Sequence, residues 1–364
     1  MTTGLHRDPA AAPDISVFEG EQRRRLWITI VEMDLQISMN CGMPSMTRVA
    51  DFGWCVPSNV DDVDLFEEMT SLPMGKSSDE WTDSLCQVTL ATSLQWRLEA
   101  TDHVNNIGGE VDYQEQVDYC RNAEELLRDL PPILKYDHIS DQYNDGSGRL
   151  LGRIKLDVYL RRMLLYIYRT LTVLGFPDAR TACVQSCLVI LSHQDAFDPN
   201  VADLDVINSK KYWDLFYTFC RNDVVQGALS VCSEIKAMSQ LSSSSSSRVT
   251  PSGFTGRTHS HFVPANPMER ASAWPKASLT RTTENAVESL VRRAGKLGSD
   301  LKDPLCISIV LQSVRSNSFT SNKQSLMREG AVSVIRACRQ NLRNKATTGY
   351  NAGEPNNTVT KIGC

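Results

Sequence analysis

The chain has 364 residues, 41% apolar and 22% charged, the profile of an ordinary globular protein with room for one large domain or two smaller ones. Its net charge of −5 conceals two unlike parts: residues 1–247 carry about 21 basic and 36 acidic side chains, residues 248–364 about 17 and 7. DNA affinity comes from lysines and arginines displacing counterions, so the acidic part is a poor holder of phosphate backbone and nonspecific nucleic-acid contact would fall to the basic tail.

In chain order, Ser16 and Glu19 have the spacing of a capping box, which predicts a helix start. Behind it Leu26, Trp27, Ile30, Val31, Asp34, Ile37, Ser38 and Cys41 recur at helical spacing, putting one carboxylate on an otherwise apolar stripe. Gly42, tolerant of the left-handed C-terminal turn, and Pro44 after it are expected to end that helix. Residues 51–65 are polar and aperiodic and close on Asp61, Asp62 and Asp64, an irregular excursion. A second helix is expected from Asp79, capped by Ser78 or Asp79, with Leu85, Val88, Thr92 and Trp96 on one face. A third carries Tyr113, Val117, Cys120, Glu124 and Leu127 and stops at Pro131-Pro132.

After the turn-rich stretch 142–148, Leu151 to Leu174 spreads apolar residues over a wide arc, which predicts a helix buried on most sides and ended by Gly175 and Pro177. Asp178 opens another helix that Asp198-Pro199-Asn200 breaks, and Lys211 to Met238 forms a further one. No period-two strand is sustained over 1–240, so the reading is all-α, an irregular array of about six or seven helices. The six serines Ser242 to Ser247 open a Ser/Thr/Pro-rich stretch, 241–283, expected to be a disordered linker. Weak periodicity over 284–345 predicts a small helical region, and 346–364 reads as a disordered tail.

Arg23-Arg24-Arg25-Leu26-Trp27, then Asp34, Gly42-x-Pro44 and Pro57-Ser58-Asn59-Val60-Asp61-Asp62 stand in an order and spacing that resembles the fungal-specific transcription factor domain. That domain is the middle homology region of fungal binuclear zinc-cluster regulators, of the xylanolytic activator regulatory type. Gly4-Leu5-His6-Arg7-Asp8 is similar to the segment that precedes the arginine run in that family, and Asp129-Leu130-Pro131-Pro132-x-Leu134 to the one that closes a helix there. The likeness covers about residues 4–240 and marks Arg23, Arg24, Arg25, Trp27, Asp34, Gly42, Pro44, Pro57, Asn59, Asp61 and Asp62 as domain-defining positions with architectural roles. It implies a regulatory domain acting in the nucleus on transcription by RNA polymerase II. The implied partners are the transcription machinery or other regulators, in homo- or heterodimers, with no membrane.

The family's DNA-binding module, six cysteines opening with C-x2-C around two zinc ions, has no counterpart here, so zinc and direct DNA contact are expected only of a full-length member. The likeness begins almost at Met1, so the chain looks like the C-terminal part of such a regulator, truncated at its N-terminus. The helices missing upstream would have covered apolar surface, and an exposed apolar patch is expected beside Leu26 to Ile37. The alternative is a stand-alone helical interaction protein that pairs with or antagonises full-length regulators.

No motif for catalysis survives inspection. Asp61-Asp62-Val63-Asp64 invites comparison with the magnesium-binding Asp-Asp-x-x-Asp of class I terpene synthases, but Leu65 stands in the fifth position and the partner motif from Asn222-Asp223 has Gln226 and Ser230 in its ligand places. The acidic cluster is instead expected to cap the next helix and bond loop amides. Gly75-Lys76-Ser77 ends like a phosphate-binding loop, yet Thr70 replaces its first glycine. Cys183 and Cys187 read as a core pair, the eleven cysteines follow no disulfide framework, and the longest apolar run, interrupted by Arg169, is short for a membrane span. No nucleophile elbow occurs, and neither a catalytic residue, a metal ligand nor a cofactor is expected within the chain. Three consecutive arginines span about 200° of a helix, so one should turn inward, stacked on an aromatic ring or paired with Asp34.

Overall fold

Ser16 opens the first helix as expected: its hydroxyl accepts the Glu19 amide at 3.1 Å, and α1 runs over Val17–Cys41. The helix ends where Gly42 takes φ +64°, its amide donating to the Ser38 carbonyl. In this computed structural model the described residues are 4–12, 14–48, 56–106, 112–136, 147–173, 176–198, 206–244, 274–296, 299–315 and 321–350. They form an all-α protein whose further helices are α2 (Leu85–Val104), α3 (Tyr113–Asp129), α4 (Ser147–Val173), α5 (Pro177–Ser192), α6 (Val206–Ser244), α7 (Lys276–Arg292), α8 (Lys302–Arg315) and α9 (Ser321–Tyr350). No strand occurs among the described residues.

The chain sorts into two compact units, Met1–Ser186 with Ala202–Tyr212, and Cys187–Val201 with Trp213–Cys364. The compositional boundaries fall elsewhere. Helix α6 continues to Ser244, and α7 starts at Lys276, inside the stretch 241–283 expected as linker. The Ser/Thr-rich first turns of α7 read as linker because only Leu279 among them is strongly apolar; yet Leu279, Thr280 and Thr283 are buried there, and Thr280 and Thr283 return their hydroxyls to carbonyls one turn back. Helix α9 likewise continues to Tyr350, within the expected tail. Residues 51–55, Gly175, Pro199-Asn200, 245–273, 351–364 and most of the turn-rich stretch 142–148 lie outside the described residues.

In the first unit α4 is enclosed as its sequence predicts, with Ile154, Leu156, Leu160, Met163, Ile167 and Leu171 all buried. Leu156, Tyr159 and Leu160 pack with Leu85 and Leu90 of α2 and with Leu130 and Leu134 beyond α3, while Trp81 lines the edge. Gly152 makes that approach possible, since a Cβ there would stand 3.2 Å from both Cys86 Sγ and the Trp81 ring.

The core face of α1 differs from the expected one. The buried residues are Glu21, Trp27, Ile28, Val31, Glu32, Leu35, Ser38 and Met39, a face rotated by about 100° from the stripe through Leu26 and Ile37. The rotation brings a charge inside. Glu32 receives both Nη1 and Nη2 of Arg97 from α2, with Nη1 at 2.9 Å; Arg97 also donates from Nε to Ser93 Oγ at 2.9 Å and from Nη2 to the Leu90 carbonyl at 2.9 Å. Every polar atom of this buried guanidinium is thereby occupied, which offsets its desolvation.

In the second unit Arg293, 2% exposed, lies over Tyr217 and Trp213 at 4.5 and 5.3 Å from the ring centres and donates to Asp214 at 2.7 Å. The Tyr217 hydroxyl bridges Gln194 and Ser289, each at 2.8 Å, and buried Asp198 holds Arg292, whose Nε is 3.0 Å away. Asn341 of α9 donates to the Val291 and Arg292 carbonyls, both at 2.9 Å, closing the end of α7.

Arg97→Ala strands a buried carboxylate and is expected to cost about 3–5 kcal/mol in chemical denaturation, whereas Glu32→Met with Arg97→Met should cost clearly less than Arg97→Ala. A double variant as unstable as Arg97→Ala would contradict this account of the pair.

Candidate functional site

Of the residues expected to define the domain, Arg25, Pro57, Asn59, Asp61 and Asp62 meet at one feature, the irregular segment 56–84 fastened to the outside of α1. The fastening starts from Glu21, whose carboxylate is out of contact with solvent. It accepts the Ser58 amide at 2.9 Å, Arg25 Nε at 3.3 Å and Arg24 Nη1 at 3.5 Å. Arg25 passes the link onward, with Nη1 2.5 Å from Asp62 Oδ1 and Nη2 3.3 Å from the Val60 carbonyl. Arg23 pairs with Glu19 one turn earlier, its Nη2 at 2.9 Å.

The inward arginine thus meets Glu21 and Asp62 and neither an aromatic ring nor Asp34, because Asp34 follows Arg25 by nine positions and faces the opposite side of the helix, about 180° away. Asp34 instead accepts the amides of Thr47 at 2.8 Å and Met46 at 3.3 Å, so it holds the chain just after Gly42 and Pro44. Asp102 of α2 takes the Ser45 amide at 3.0 Å, and Asn105 donates to the Met43 carbonyl at 2.6 Å. Asp34 is half-buried and neutralised by dipoles, so Asp34→Ala is expected to cost about 1–2 kcal/mol, the loss of a capping side chain, measurable by thermal unfolding.

The loop is tied to itself in the same way. Asn59 donates Nδ2 to the Lys76 and Ser77 carbonyls at 2.8 and 3.0 Å, its own carbonyl accepts the Lys76 amide at 2.8 Å, and its Oδ1 accepts the Thr82 hydroxyl. Asp83 ties two neighbours of the loop: its N–H donates to Asp61 Oδ1 at 3.3 Å, and its Oδ2 accepts the Asp62 N–H at 3.0 Å. Ser84 Oγ accepts the Val60 amide at 3.0 Å and lies 2.8 Å from the Ser58 carbonyl. Thr82, Asp83 and Ser84 are consumed in these bonds with the loop, and α2 begins at Leu85 and not at Asp79 as expected. Apolar Val60, Leu65 and Met69 close on Val17, Phe18 and Leu72 beneath the loop. Pro57 is buried there, whereas Gly42 and Pro44 are exposed.

Trp27, 4% exposed, has the His6 ring 6.2 Å away, and Pro9 lies 3.3 Å from where a Gly20 Cβ would stand, so the segment from His6 to Pro9 straps the start of α1. Glu21, Glu32 and Arg97 went unrecognised in the sequence; the signal for Glu32 was its four-residue step from Ile28 on the true core face.

The chemistry open to this arrangement is holding and docking. Cys86 is pushed up to about 11 and Cys120 to about 12 by burial, which keeps both as thiols. Among the described residues, no group of three or more His, Cys, Asp or Glu side chains is placed to hold a metal ion, and no helix is long and apolar enough to cross a membrane. The other face of α1 is a row of uncovered apolar side chains, with Leu26, Met33 and Ile37 49%, 57% and 59% exposed and Met43 and Met46 beyond them. This is the apolar patch expected from the sequence.

Asp61 is held below its ordinary value of 3.8 chiefly by the hydrogen bond from Lys76, and Lys76 is raised above 10.5 by the same contact. A depressed carboxyl contributes stability that is present above its unfolded value and lost as pH falls through the folded one. The thermal midpoint of Asp61→Asn should therefore lie below that of the parent at pH 7, with the gap closing as pH drops below 3.8 and closing again in strong alkali as Lys76 deprotonates. A gap independent of pH would show that Lys76 is not the cause.

Comparison with known proteins extends this picture. The chain is 26% identical over 328 residues to transcription factor opdR of Penicillium oxalicum, covering 87% of this chain and 40% of that protein. It is 29% identical over 203 residues to transcription factor phm2 of a Pyrenochaetopsis species, and 27% identical over 200 residues to the Zn(2)-C6 fungal-type transcription factor mpsB of Macrophomina phaseolina. Each of these two alignments covers 54% of this chain and 27% of the relative. The chain therefore spans well under half the length of these relatives. No protein-family model matches it, and no solved structure matches it significantly. Its homologues are fungal transcription factors, aligned outside their N-terminal region, and the likeness supports a transcription-factor regulatory domain in this chain.

Proposed function

We propose that this chain is the regulatory, middle-homology part of a fungal zinc-cluster transcription factor. Its role is to set the activity of a regulator that acts in the nucleus on genes read by RNA polymerase II. The observation that carries this is an alignment over 87% of the chain to a fungal transcription factor. The domain-defining residues add to it, since Arg25, Asn59, Asp61 and Asp62 bond to one another's segments and make a rigid unit of α1 and the loop. A unit of this kind carries a signal by presenting or withholding a surface, with no bond made or broken, and the chain acts without catalysis. Zinc and sequence-specific DNA reading belong to an N-terminal module of the full-length regulator, and dimer formation with related regulators is part of the proposal.

A second reading, a stand-alone partner that pairs with or antagonises full-length regulators, is favoured by the uncovered stripe of α1. Leu26, Ile30, Met33 and Ile37 follow one another at alternating steps of four and three, the spacing that seats a helix against a second helix. Both readings use that surface, but they differ in what it does.

The test is a reporter assay in a fungal host, with the chain fused to an unrelated DNA-binding module and, separately, expressed unfused beside a full-length homologous regulator. The regulatory reading expects the fusion to change transcription from the reporter several-fold. The second expects the unfused chain to alter the homologue's output and to co-purify with it. Leu26→Ser with Met33→Ser and Ile37→Ser should shift folding stability by only about 0.5 kcal/mol per site, since these side chains are exposed, and should abolish whichever effect is seen. A folded fusion that leaves the reporter unchanged would reject the regulatory reading.

A further inference from the structure

Helix α1 keeps one apolar row out of its core. Leu26, Met33 and Ile37 are 49%, 57% and 59% exposed, half-buried Ile30 lies between them, and Met43 and Met46 continue the surface past Gly42. At about 100° per residue the four helical positions fall within an arc of about 60°, so they form one straight strip along the helix. The uncovered parts of these side chains amount to on the order of 500 Å² per molecule. Burying that on both sides of a contact removes about 1,000 Å², the area from which a specific protein interface becomes stable.

The surroundings of the strip are uncharged. From Leu26 to Met46 the other exposed residues are Thr29, Asn40, Cys41, Gly42 and Pro44. The charges nearest to it are committed within the molecule: Glu19 to Arg23, Arg25 to Glu21 and Asp62, and Asp34 to the amides of Met46 and Thr47. A partner that brought a charge onto this face would strip it of water and offer it nothing of opposite sign. The face therefore fits an uncharged apolar helix like itself.

Its spacing is also self-complementary. Leu26, Ile30, Met33 and Ile37 are four, three and four residues apart, a pattern that reads the same in both directions. Turned end for end about a two-fold axis between Ile30 and Met33, two copies set Leu26 of each against Ile37 of the other, and Ile30 of each against Met33 of the other. The same operation puts Arg23 opposite uncharged Asn40 and opposes the two helix dipoles. A parallel pair would instead bring Arg23 beside Arg23 and Glu19 beside Glu19, and would align the dipoles.

We propose that the chain forms a homodimer through this strip, with the two α1 helices packed antiparallel across a two-fold axis. This deepens the reading given above by naming the occupant of the α1 surface, and rests on it only for the use of that surface. Assembly is measured on the purified chain with no promoter present, so failure of the dimer and failure of the regulatory role are read separately.

The test is sedimentation equilibrium of the full chain from low to high micromolar concentration, where the parent should pass from monomer to dimer. Leu26→Glu alone and Ile37→Lys alone each place a charge against an apolar neighbour and should weaken association at least about tenfold. Leu26→Glu with Ile37→Lys should regain most of it, because antiparallel packing sets each introduced carboxylate against an introduced ammonium on the other copy. Added salt should weaken this regained association and leave the parent's unchanged. Both positions are exposed, and circular dichroism should show all three variants folded like the parent. A parent that stays monomeric throughout overturns the proposal, and one that does so yet binds a homologous regulator through the strip gives the face to that other partner. Association that neither single variant weakens overturns it too, as does a double variant no stronger than the singles.

Discussion

The first unit depends on a carboxylate taken out of water near the start of its first helix. Removing an ionised Glu from solvent costs several kcal/mol, and Glu21 recovers that cost from two guanidinium groups and one loop amide. The consequence is directional. Arg25, fixed by Glu21 on one side, has its remaining donors aimed at Val60 and Asp62, so the path of the loop follows from the rotamer of one helical side chain. The arginine run is spent almost wholly on carboxylates within about one turn of it and on the loop.

Much of the architecture was legible because it rests on local rules. Ser16, Gly42, Pro131 and Pro177 each mark a helix end that the structure keeps, and the wide apolar arc of α4 announced a helix enclosed on most sides. What escaped rests on tertiary choices. The sequence offers two apolar rows on α1, one through Leu26 and Ile37 and one through Ile28 and Leu35, and hydrophobicity does not rank them. The second row wins because Glu32 and Glu21 lie within it and find Arg97, Arg24 and Arg25, partners drawn from near and far in the chain. A residue such as Arg97, sixty-five positions from its mate, leaves no periodic trace. The start of α2 escaped for a related reason: Ser77 to Ser84 is competent to begin a helix, but its polar groups bond instead to Ser58, Asn59, Asp61 and Asp62 of the loop.

The two units use arginine differently. In the first, guanidinium groups bind carboxylates and carbonyls edge-on, which fixes direction. In the second, Arg293 lies flat on Tyr217 and Trp213 while its edge reaches Asp214, so one side chain serves as both core packing and ion pair. Lysine has no flat face to lay against two rings, and Lys296, which sits over the Trp213 ring at 4.2 Å, meets only one. Part of the positive charge of the C-terminal stretch is therefore internal.

The fastening of the loop also separates irregular shape from looseness. Ser58, Val60, Asp62 and Thr47 lie outside any long helix, yet each amide is committed to a side chain fixed by another element: Glu21, Ser84, Asp83 and Asp34. Deuterium reaching those four amides would have to wait for the side chain that holds each one to let go. Isotope uptake there would thus read out the opening of α1 and the edge of α2, and a segment that looks like a connector would exchange with the kinetics of the helices it touches.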